Sequence, residues 1–146
     1  RIDRLAIEIT ETHLASDLGA AALELAELRR AGVVLVVDDF GSGYSSLSYL
    51  QSFLASVVKL DGYYVRNMGA DPRACAMAEA VVAVAHAFGM HAVAEQVETI
   101  EQADMARAMG YPYGQGFLFG RPAPLDELEA QLRARLGPSE RARPGA

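Results

Sequence analysis

The sequence predicts an α/β fold built on a parallel β-sheet, and three observations lead to this prediction. Short apolar segments alternate along the chain with longer segments that carry helix signals, as in a parallel sheet with crossover helices. Residues 33–37, Val-Val-Leu-Val-Val, are apolar at every position, which is typical of a strand buried on both faces. Charged residues follow several predicted strands, and that edge carries the active site in (β/α) barrels and in open α/β sheets.

Five strands and five helices are predicted in order along the chain. The strands are 5–9, 33–37, 56–60, 91–94 and 115–119, and the helices are 20–30, 45–51, 73–88, 99–110 and 125–136. Ser16 and Thr99 are candidate N-caps of the first and fourth helices, while Gly32 and Gly89 follow predicted helix ends. The tail 137–146 is rich in Pro, Gly and Arg, and we expect it to be disordered.

Composition excludes several classes of protein. The 146 residues are 51% apolar with a net charge of −6, so the chain forms a core and has no general attraction for a nucleic acid polymer or an anionic membrane. A single cysteine excludes a disulfide framework and suits a reducing, cytoplasmic location. No apolar run approaches the roughly 20 residues that span a bilayer. Because the chain starts at Arg1 and enters a strand at once, we expect it to be part of a longer protein.

Four carboxylates at strand ends predict a site for hard cations. Asp38 and Asp39 directly follow the strand 33–37, and Glu8 and Asp61 lie at the ends of two other strands. Carboxylates without a cysteine or histidine cluster favour Mg²⁺ or Mn²⁺. Two such ions about 4 Å apart activate a water molecule and stabilise the leaving oxygen of a phosphoester. The four residues are therefore candidate ligands of a two-metal site.

Further residues near the same edge fit this chemistry. Lys59 could supply positive charge to a phosphate or orient the attacking water, and Glu95 is placed to accept the proton of that water. Gly41 and Gly43 allow backbone conformations and close ligand approaches that other residues do not. The alternative is structural, because a single Asp at a strand end is more often a helix N-cap or turn residue. The Asp-Phe-Gly sequence of protein kinases is also present, but no glycine-rich nucleotide loop accompanies it.

Five motifs resemble those of the EAL domain family, the cyclic-di-GMP phosphodiesterases, over roughly residues 4–132. They are Glu8-Ile9-Thr10-Glu11, the ten residues from Asp38 to Leu47, Lys59-Leu60-Asp61, the five residues from Ala94 to Glu98, and the five residues from Gln115 to Phe119. The second motif is highly specific because of its length. The short motifs gain their weight from their order and spacing.

The resemblance implies a TIM-like (β/α) barrel that hydrolyses cyclic di-GMP to linear pGpG. It implies these roles: Glu8 and Asp38 as metal ligands, Asp39 and Asp61 at the second ion, Lys59 holding the attacking water or the phosphate, Glu95 as general base, and Glu98 and Gln115 supporting the substrate or metal site. It also implies that Glu11 braces the loop that contains Gly41, Gly43 and Ser45. That loop, residues 39–47, would couple the site to a homodimer interface.

The sequence departs from the family pattern at two places. Gln96 stands where the family usually has glycine, beside the expected base. The Glu-Ala-Leu motif and the asparagine on a following strand are absent from the 146 residues, and about five strands are present where a barrel needs eight. Residues 1–136 therefore resemble the C-terminal part of the domain, which we expect to be inactive alone. A sensor or GGDEF domain could lie upstream.

Two other functions remain open from the sequence. A degenerate domain could bind cyclic di-GMP without cleaving it and signal through residues 39–47. The chain could also be a scaffold for protein partners that binds no nucleotide. Retention of so many carboxylates argues against the scaffold, because crowded acids without a cation repel one another.

Overall fold

The computed structural model describes residues 2–43 and 55–136. The strands are β1 (Ala6–Thr10), β2 (Val34–Phe40), β3 (Val57–Leu60), β4 (His91–Ala94) and β5 (Tyr113–Gly114). The α-helices are α1 (Glu11–Arg30), α2 (Gly62–Asn67), α3 (Pro72–Ala87), α4 (Ile100–Met109) and α5 (Leu125–Leu136). A short 3-10 helix, Ile2–Arg4, precedes β1.

The five strands form one parallel sheet in the order β1-β2-β3-β4-β5. Each crossover moves one strand along the sheet, and right-handed crossovers in one direction place their helices on the same face. Helix α1 packs on β1 and β2, and α3 packs on β3 and β4. A sequential parallel sheet with helices outside it is an incomplete α/β barrel, which confirms the predicted fold class.

The hydrophobic core fills the space between the sheet and these helices. Its fully buried strand residues include Leu35 and Val37 on β2 and Val58 and Leu60 on β3. Burying one such side chain contributes roughly 1.5–3 kcal/mol. Because successive side chains of a strand point to opposite faces, Lys59 leaves the sheet on the side away from this core. The packing of β3 thus fixes the direction of its one charged side chain.

Helix α1 begins at Glu11, so the predicted start near Ala20 and the predicted cap at Ser16 are wrong. Thr10 occupies the N-cap position with an extended backbone (φ −67°, ψ 149°) and makes no capping bond through its side chain. Ser16 lies inside the helix. The missed start follows from tertiary structure, because the side chain of Glu11 is buried and bound to a distant loop. The predicted end is confirmed, with Gly32 left-handed at φ 99°.

Strand β2 continues through both acids to Phe40, whereas the sequence predicted its end at Val37. The pairing with β3 shifts between Val37 and Phe40, and Asp39 has a left-handed backbone with φ 53°. Phe40 rejoins the ladder opposite Leu60 and is buried. The acids therefore sit in a bulge within the strand, an irregularity that changes the direction in which their side chains point.

The last strand is Tyr113–Gly114, so the prediction of a strand over 115–119 is wrong. The chain leaves the ladder at Gln115 and wraps around Val97, which donates its N–H to Gln115 O at 3.0 Å and accepts from Leu118 N at 3.1 Å. Phe117 and Phe119 are exposed in the turn that follows. Their apolar character suggested a strand, but Gly116 lies so close to Val97 that the backbone turns there instead.

Local signals located the remaining elements well. Asp71 caps α3, and Thr99 and Gln102 form a reciprocal capping box at the start of α4. Gly89 and Gly110 adopt the left-handed conformation after their helices. The helix α2 was not predicted. The predicted helix 45–51 and the predicted disordered tail 137–146 lie outside the described residues.

No helix within the described ranges combines the length and apolar character that crossing a membrane requires.

A substitution at Gly116 tests the close approach between the last turn and Val97. A Cβ at this position would overlap the backbone N, C and O of Val97. We expect Gly116→Ala to lower the free energy of unfolding by about 2–3 kcal/mol, because a backbone contact cannot relax as a side chain can. Gly120→Ala is the matched control, since nothing lies within 4 Å of its Cβ position. Urea unfolding of both variants measures the difference, and equal midpoints would contradict the packing described.

Candidate active site

The ammonium group of Lys59 lies at the centre of three carboxylates. Lys59 Nζ is 3.1 Å from Glu8 Oε2, 3.0 Å from Asp38 Oδ1 and 2.6 Å from Glu95 Oε1. Its side chain is 5% exposed and that of Glu95 is 10% exposed, so these two groups are removed from bulk water. An ammonium buried this deeply is stable only with such partners.

Four neighbouring strands bring these groups together. Glu8 lies on β1, Asp38 on β2 and Lys59 on β3, and Glu95 directly follows β4. The strands are parallel and adjacent in sequence order, so their carboxyl ends meet at one edge of the sheet. The expectation that strand-end acids converge is met by the three acids that contact Lys59.

The surrounding carboxylates hold Lys59 in its charged form. Burial alone would lower its pKa, but the contacts with Glu95, Asp38 and Glu8 outweigh burial and raise the pKa above the usual value. The ammonium is thus positively charged at any physiological pH. Three separate carboxylate oxygens therefore lie within 3.1 Å of the one ammonium group.

A second group of acids overlaps this cluster and shares Asp38 and Glu95 with it. Asp38, Asp39 and Glu95 each offer a carboxylate oxygen, and the three oxygens lie within 4.8 Å of one another. Burial, then repulsion by Asp38 and Asp61, raises the pKa of Asp39. The carboxylates therefore carry more negative charge than Lys59 neutralises, and this is the electrostatic condition in which a cation binds.

Glu95 is the most deeply buried of these acids. Burial raises its pKa, and the contacts with Lys59 oppose this effect without cancelling it. A carboxylate whose pKa lies above its ordinary value takes up a proton more readily near neutral pH. The position and environment of Glu95 suit proton transfer.

The glycine loop after β2 is fixed by Glu11, the first residue of α1. Glu11 Oε2 accepts hydrogen bonds from Gly41 N at 2.7 Å and from Gly43 N at 3.3 Å. The other oxygen, Oε1, is buried and makes no hydrogen bond within residues 2–43 and 55–136. A Cβ at Gly43 would approach it to 3.2 Å. Ser45, a predicted loop residue of the site, lies outside the described residues.

Two predicted site residues have structural roles as well. Asp61 caps α2 by accepting a hydrogen bond from Tyr63 N at 2.6 Å, so one of its oxygens is already engaged. It stands outside the group of three acids around Asp39, but close enough to raise the pKa of Asp39. Glu8 also stands outside that group and reaches the site through Lys59.

A cleft of about 370 Å³ opens beside the acids. Its lining includes Glu95, Gln96, Glu98, Gln115 and Phe117. Glu98 and Gln115 are exposed there, so the structure places both predicted support residues at the cleft and not in contact with Lys59. Arg121 lies 4.2 Å above the ring centre of Phe117, which adds one positive charge at the rim.

Sequence reasoning missed two residues that contact the loops of the site. The hydroxyl group of Tyr64, on α2, donates a hydrogen bond to Gly41 O at 2.7 Å. Arg66 on the same helix donates to Gln96 Oε1. Both contacts join segments far apart in the chain, and α2 itself was not predicted. The only local signal was Asp61, whose side chain is a common helix N-cap.

The donor set fits a hard divalent cation. Carboxylate oxygens are the ligands that Mg²⁺, Mn²⁺ and Ca²⁺ prefer. Asp38 Oδ1 is buried and ion-paired with Lys59, but the approach is poorly aligned for a hydrogen bond, so the oxygen retains acceptor capacity. The excess negative charge at Asp39 points to the same conclusion. Asp38, Asp39 and Glu95 could hold the ion.

The fold and this site define a parallel α/β domain with an acidic, lysine-centred site at the carboxyl edge of its sheet. A family model for the EAL domain matches residues 2–122. The chain belongs to the EAL domain family, which confirms the resemblance read from the sequence motifs.

Several relatives and solved structures are similar to the chain. It is 45% identical over 117 residues to the cyclic di-GMP phosphodiesterase RocR of Pseudomonas aeruginosa, covering 80% of this chain and 30% of RocR. The PaMucR phosphodiesterase in complex with c-di-GMP superposes with a TM-score of 0.82 at 37% identity, over 86% of this chain and 51% of that one. Klebsiella pneumoniae BlrP1 in a manganese and cyclic di-GMP complex gives 0.79 at 38% identity, over 84% and 31%.

The chain spans only part of the length of the curated relatives it matches, 16% and 30% of the first two. The matched region is thus one segment of longer relatives. One of them, MucR of Pseudomonas aeruginosa, is named a bifunctional diguanylate cyclase and cyclic di-GMP phosphodiesterase.

A substitution at Asp39 tests the charge excess. The folded-state pKa of Asp39 lies above its unfolded value, so the stability it contributes is full below the unfolded pKa and is lost as pH rises through the folded pKa. In EDTA at pH 7, we therefore expect Asp39→Asn to raise the Tm by about 2 °C. Asparagine also accepts the left-handed backbone well.

Thermal unfolding at pH 7 and at pH 4 checks this expectation, because the gain should shrink as the carboxyl group of Asp39 becomes protonated. Glu27→Gln removes an exposed carboxylate of α1 and serves as the control. Added Mn²⁺ should stabilise the unsubstituted protein more than Asp39→Asn. A lower Tm for this variant in EDTA would show that Asp39 is not repelled by its neighbours.

Proposed function

We propose that the protein carrying this chain is a metal-dependent phosphodiesterase that hydrolyses cyclic di-GMP to linear pGpG. The observation that carries the proposal is the convergence of three carboxylates on one buried ammonium, which leaves the neighbouring carboxylate of Asp39 without an ion pair of its own among the residues described. The names of the relatives support the substrate, since RocR is a cyclic di-GMP phosphodiesterase and the PaMucR structure contains c-di-GMP. Residues 1–136 form the C-terminal part of the catalytic domain in this proposal.

The proposed metal site is a pair of Mg²⁺ or Mn²⁺ ions. The proposed ligands are Glu8, Asp38, Asp39 and Asp61, the last through the oxygen that does not cap α2, and a carboxylate oxygen of Glu95 lies within 4.8 Å of those of Asp38 and Asp39. When bound, such ions activate a water molecule and stabilise the departing oxygen. The calcium and manganese complexes of BlrP1 support a divalent cation in this family.

Four residues of this chain are proposed to transfer the proton, orient the reactants and support the substrate. Glu95 acts as general base and takes the proton of the attacking water, a role that its buried position beside Asp38 and Asp39 supports. Lys59 orients that water or a phosphate oxygen with its fixed positive charge. Glu98 and Gln115 line the cleft next to the base and support the substrate there. Hydrolysis breaks one phosphoester bond of the ring and leaves a terminal phosphate.

The proposal includes a regulatory role for the loop after β2 and for a domain upstream. The loop at residues 39–47 couples the site to a homodimer interface, and the two hydrogen bonds from Gly41 and Gly43 to Glu11 support a defined loop conformation. A sensor or GGDEF domain upstream supplies the input signal. The bifunctional name of MucR supports such a combination in a relative.

A second candidate function is binding of cyclic di-GMP without cleavage. It is favoured by Gln96, whose side chain stands beside the proposed base at a position where the family usually has glycine. In this alternative the cleft and the acids hold the dinucleotide, and the glycine loop transmits its presence to a partner. Calorimetry with cyclic di-GMP and Ca²⁺ separates the candidates, because heat without product formation in Mn²⁺ indicates the binding module. If cyclic di-GMP gives no heat of binding, a scaffold for protein partners is the remaining candidate.

A substitution of Glu95 tests the proposed chemistry in the full-length protein. We expect Glu95→Gln to lower kcat at least ~100-fold, since a positioned general base contributes that much or more. Binding of cyclic di-GMP should persist, because the amide keeps the shape of the side chain. Chromatography of the pGpG product and calorimetry measure the two effects. Glu101→Gln, an exposed acid of α4, is the control, and hydrolysis by Glu95→Gln at the unsubstituted rate would remove Glu95 from the role of base.

A further inference from the structure

The short helix α2 stands between the two segments that carry the acids of the site. It follows Asp61 at the end of β3, and β3 lies between β2 and β4 in the sheet. One of its side chains contacts the loop after Asp39, and two of its residues contact Gln96, which directly follows Glu95. No other helix in the described ranges makes side-chain hydrogen bonds to both segments.

On the first side, Tyr64 fixes Gly41. The Tyr64 hydroxyl donates to Gly41 O at 2.7 Å, while Gly41 N donates to Glu11. The ring packs so closely that a Cβ at Gly41 would come within 2.7 Å of Tyr64 Cε2. Both polar groups of Gly41 are therefore engaged, and the chain two residues after Asp39 has little freedom to move.

On the second side, Gly62 and Arg66 hold Gln96. The side chain of Gln96 lies over Gly62, where a Cβ would overlap its amide group, and Arg66 donates to Gln96 Oε1. Gly62 is buried at the first turn of α2. The absence of a side chain at Gly62 is thus what lets Gln96 occupy this space beside Glu95.

The two contacts coincide with backbone strain. Asp39 (φ 53°) and Gln96 (φ 51°) are the non-glycine residues with positive φ among the residues described. This conformation is unfavourable for residues with a side chain and persists where the surroundings over-determine it. One strained residue is a proposed metal ligand, and the other adjoins the proposed base. The contacts of α2 with the loop after Asp39 and with Gln96 help to hold both residues in this conformation.

We propose that α2 is a brace, in which the Tyr64 hydroxyl and the Gln96 side chain act as positioning residues that keep Asp39 and Glu95 at the spacing a divalent cation requires. The inference rests on the proposed function, because it concerns the same acidic site. Neither residue touches the reacting atoms. Tyr64 acts through Gly41 on Asp39, and Gln96 acts on Glu95 through the backbone that they share.

Removal of one hydroxyl group tests the first contact in the full-length protein. We expect Tyr64→Phe to weaken Mn²⁺ binding about tenfold, as other substitutions behind metal ligands do. The phenyl ring keeps the packing on Gly41, so the Tm in EDTA should change little. Tyr63→Phe is the matched control: Tyr63 is the neighbouring residue, it is 52% exposed, and it stacks edge-on against Tyr64. Titration calorimetry with MnCl₂ measures both variants.

Removal of the guanidinium group tests the second contact. Methionine keeps the aliphatic stem and the helix propensity of Arg66 but has no N–H donor, so Arg66→Met removes the bond to Gln96 and leaves residue 96 unchanged. We expect weaker Mn²⁺ binding and a lower kcat with an unchanged KM, because Glu95 is displaced while the cleft stays open. A purely structural role would lower the Tm of both variants and leave Mn²⁺ affinity and kcat unchanged, and this result would overturn the brace.

The outcomes separate this inference from the proposed function. If the unsubstituted protein binds Mn²⁺ without hydrolysing cyclic di-GMP, the catalytic proposal fails. The Mn²⁺ affinities of the two variants then still show whether α2 acts as a brace. If it binds and hydrolyses while both variants match it, the brace alone is wrong. If it binds no Mn²⁺ at all, both proposals are overturned.

Discussion

The ion pairs of Lys59 are the interaction on which the rest of this structure depends. Four neighbouring strands place like charges at one edge of the sheet, and carboxylates that close would repel one another without a cation between them. The ammonium of Lys59 meets three of them within 3.1 Å. Because it is almost fully buried, it is itself stable only while those acids remain. The strand order brings the acids together, and the ion pairs with Lys59 offset the repulsion that this arrangement creates.

Local sequence signals predicted the elements whose ends are decided locally. The capping box at Thr99 and the glycines after α3 and α4 act within one helical turn, so they are visible in the sequence alone. The start of α1 depends instead on a buried contact of Glu11 with a loop some 30 residues away. The misplaced last strand has the same origin, because the approach of Gly116 to Val97 ends the ladder early.

The acids of the site were predictable for a simple geometric reason. Residues at the carboxyl ends of adjacent parallel strands meet whatever the details of packing, so type and position along the strand were sufficient to find Glu8, Asp38 and Glu95. Their supports were not predictable in this way. Tyr64 and Gln96 act through contacts that appear only once β3, α2 and the two loops are assembled. The sequence indicated Gln96 only as a departure from the family pattern.

One shared oxygen atom has a mechanical consequence. Glu11 is the first residue of a helix of 20 residues, about 30 Å long at 1.5 Å per residue, and its Oε2 holds two amides of the glycine loop. Because Glu11 directly follows β1 and also binds Gly41 and Gly43, any shift of the first turn of α1 displaces the end of β1 and the peptide next to Asp39 together.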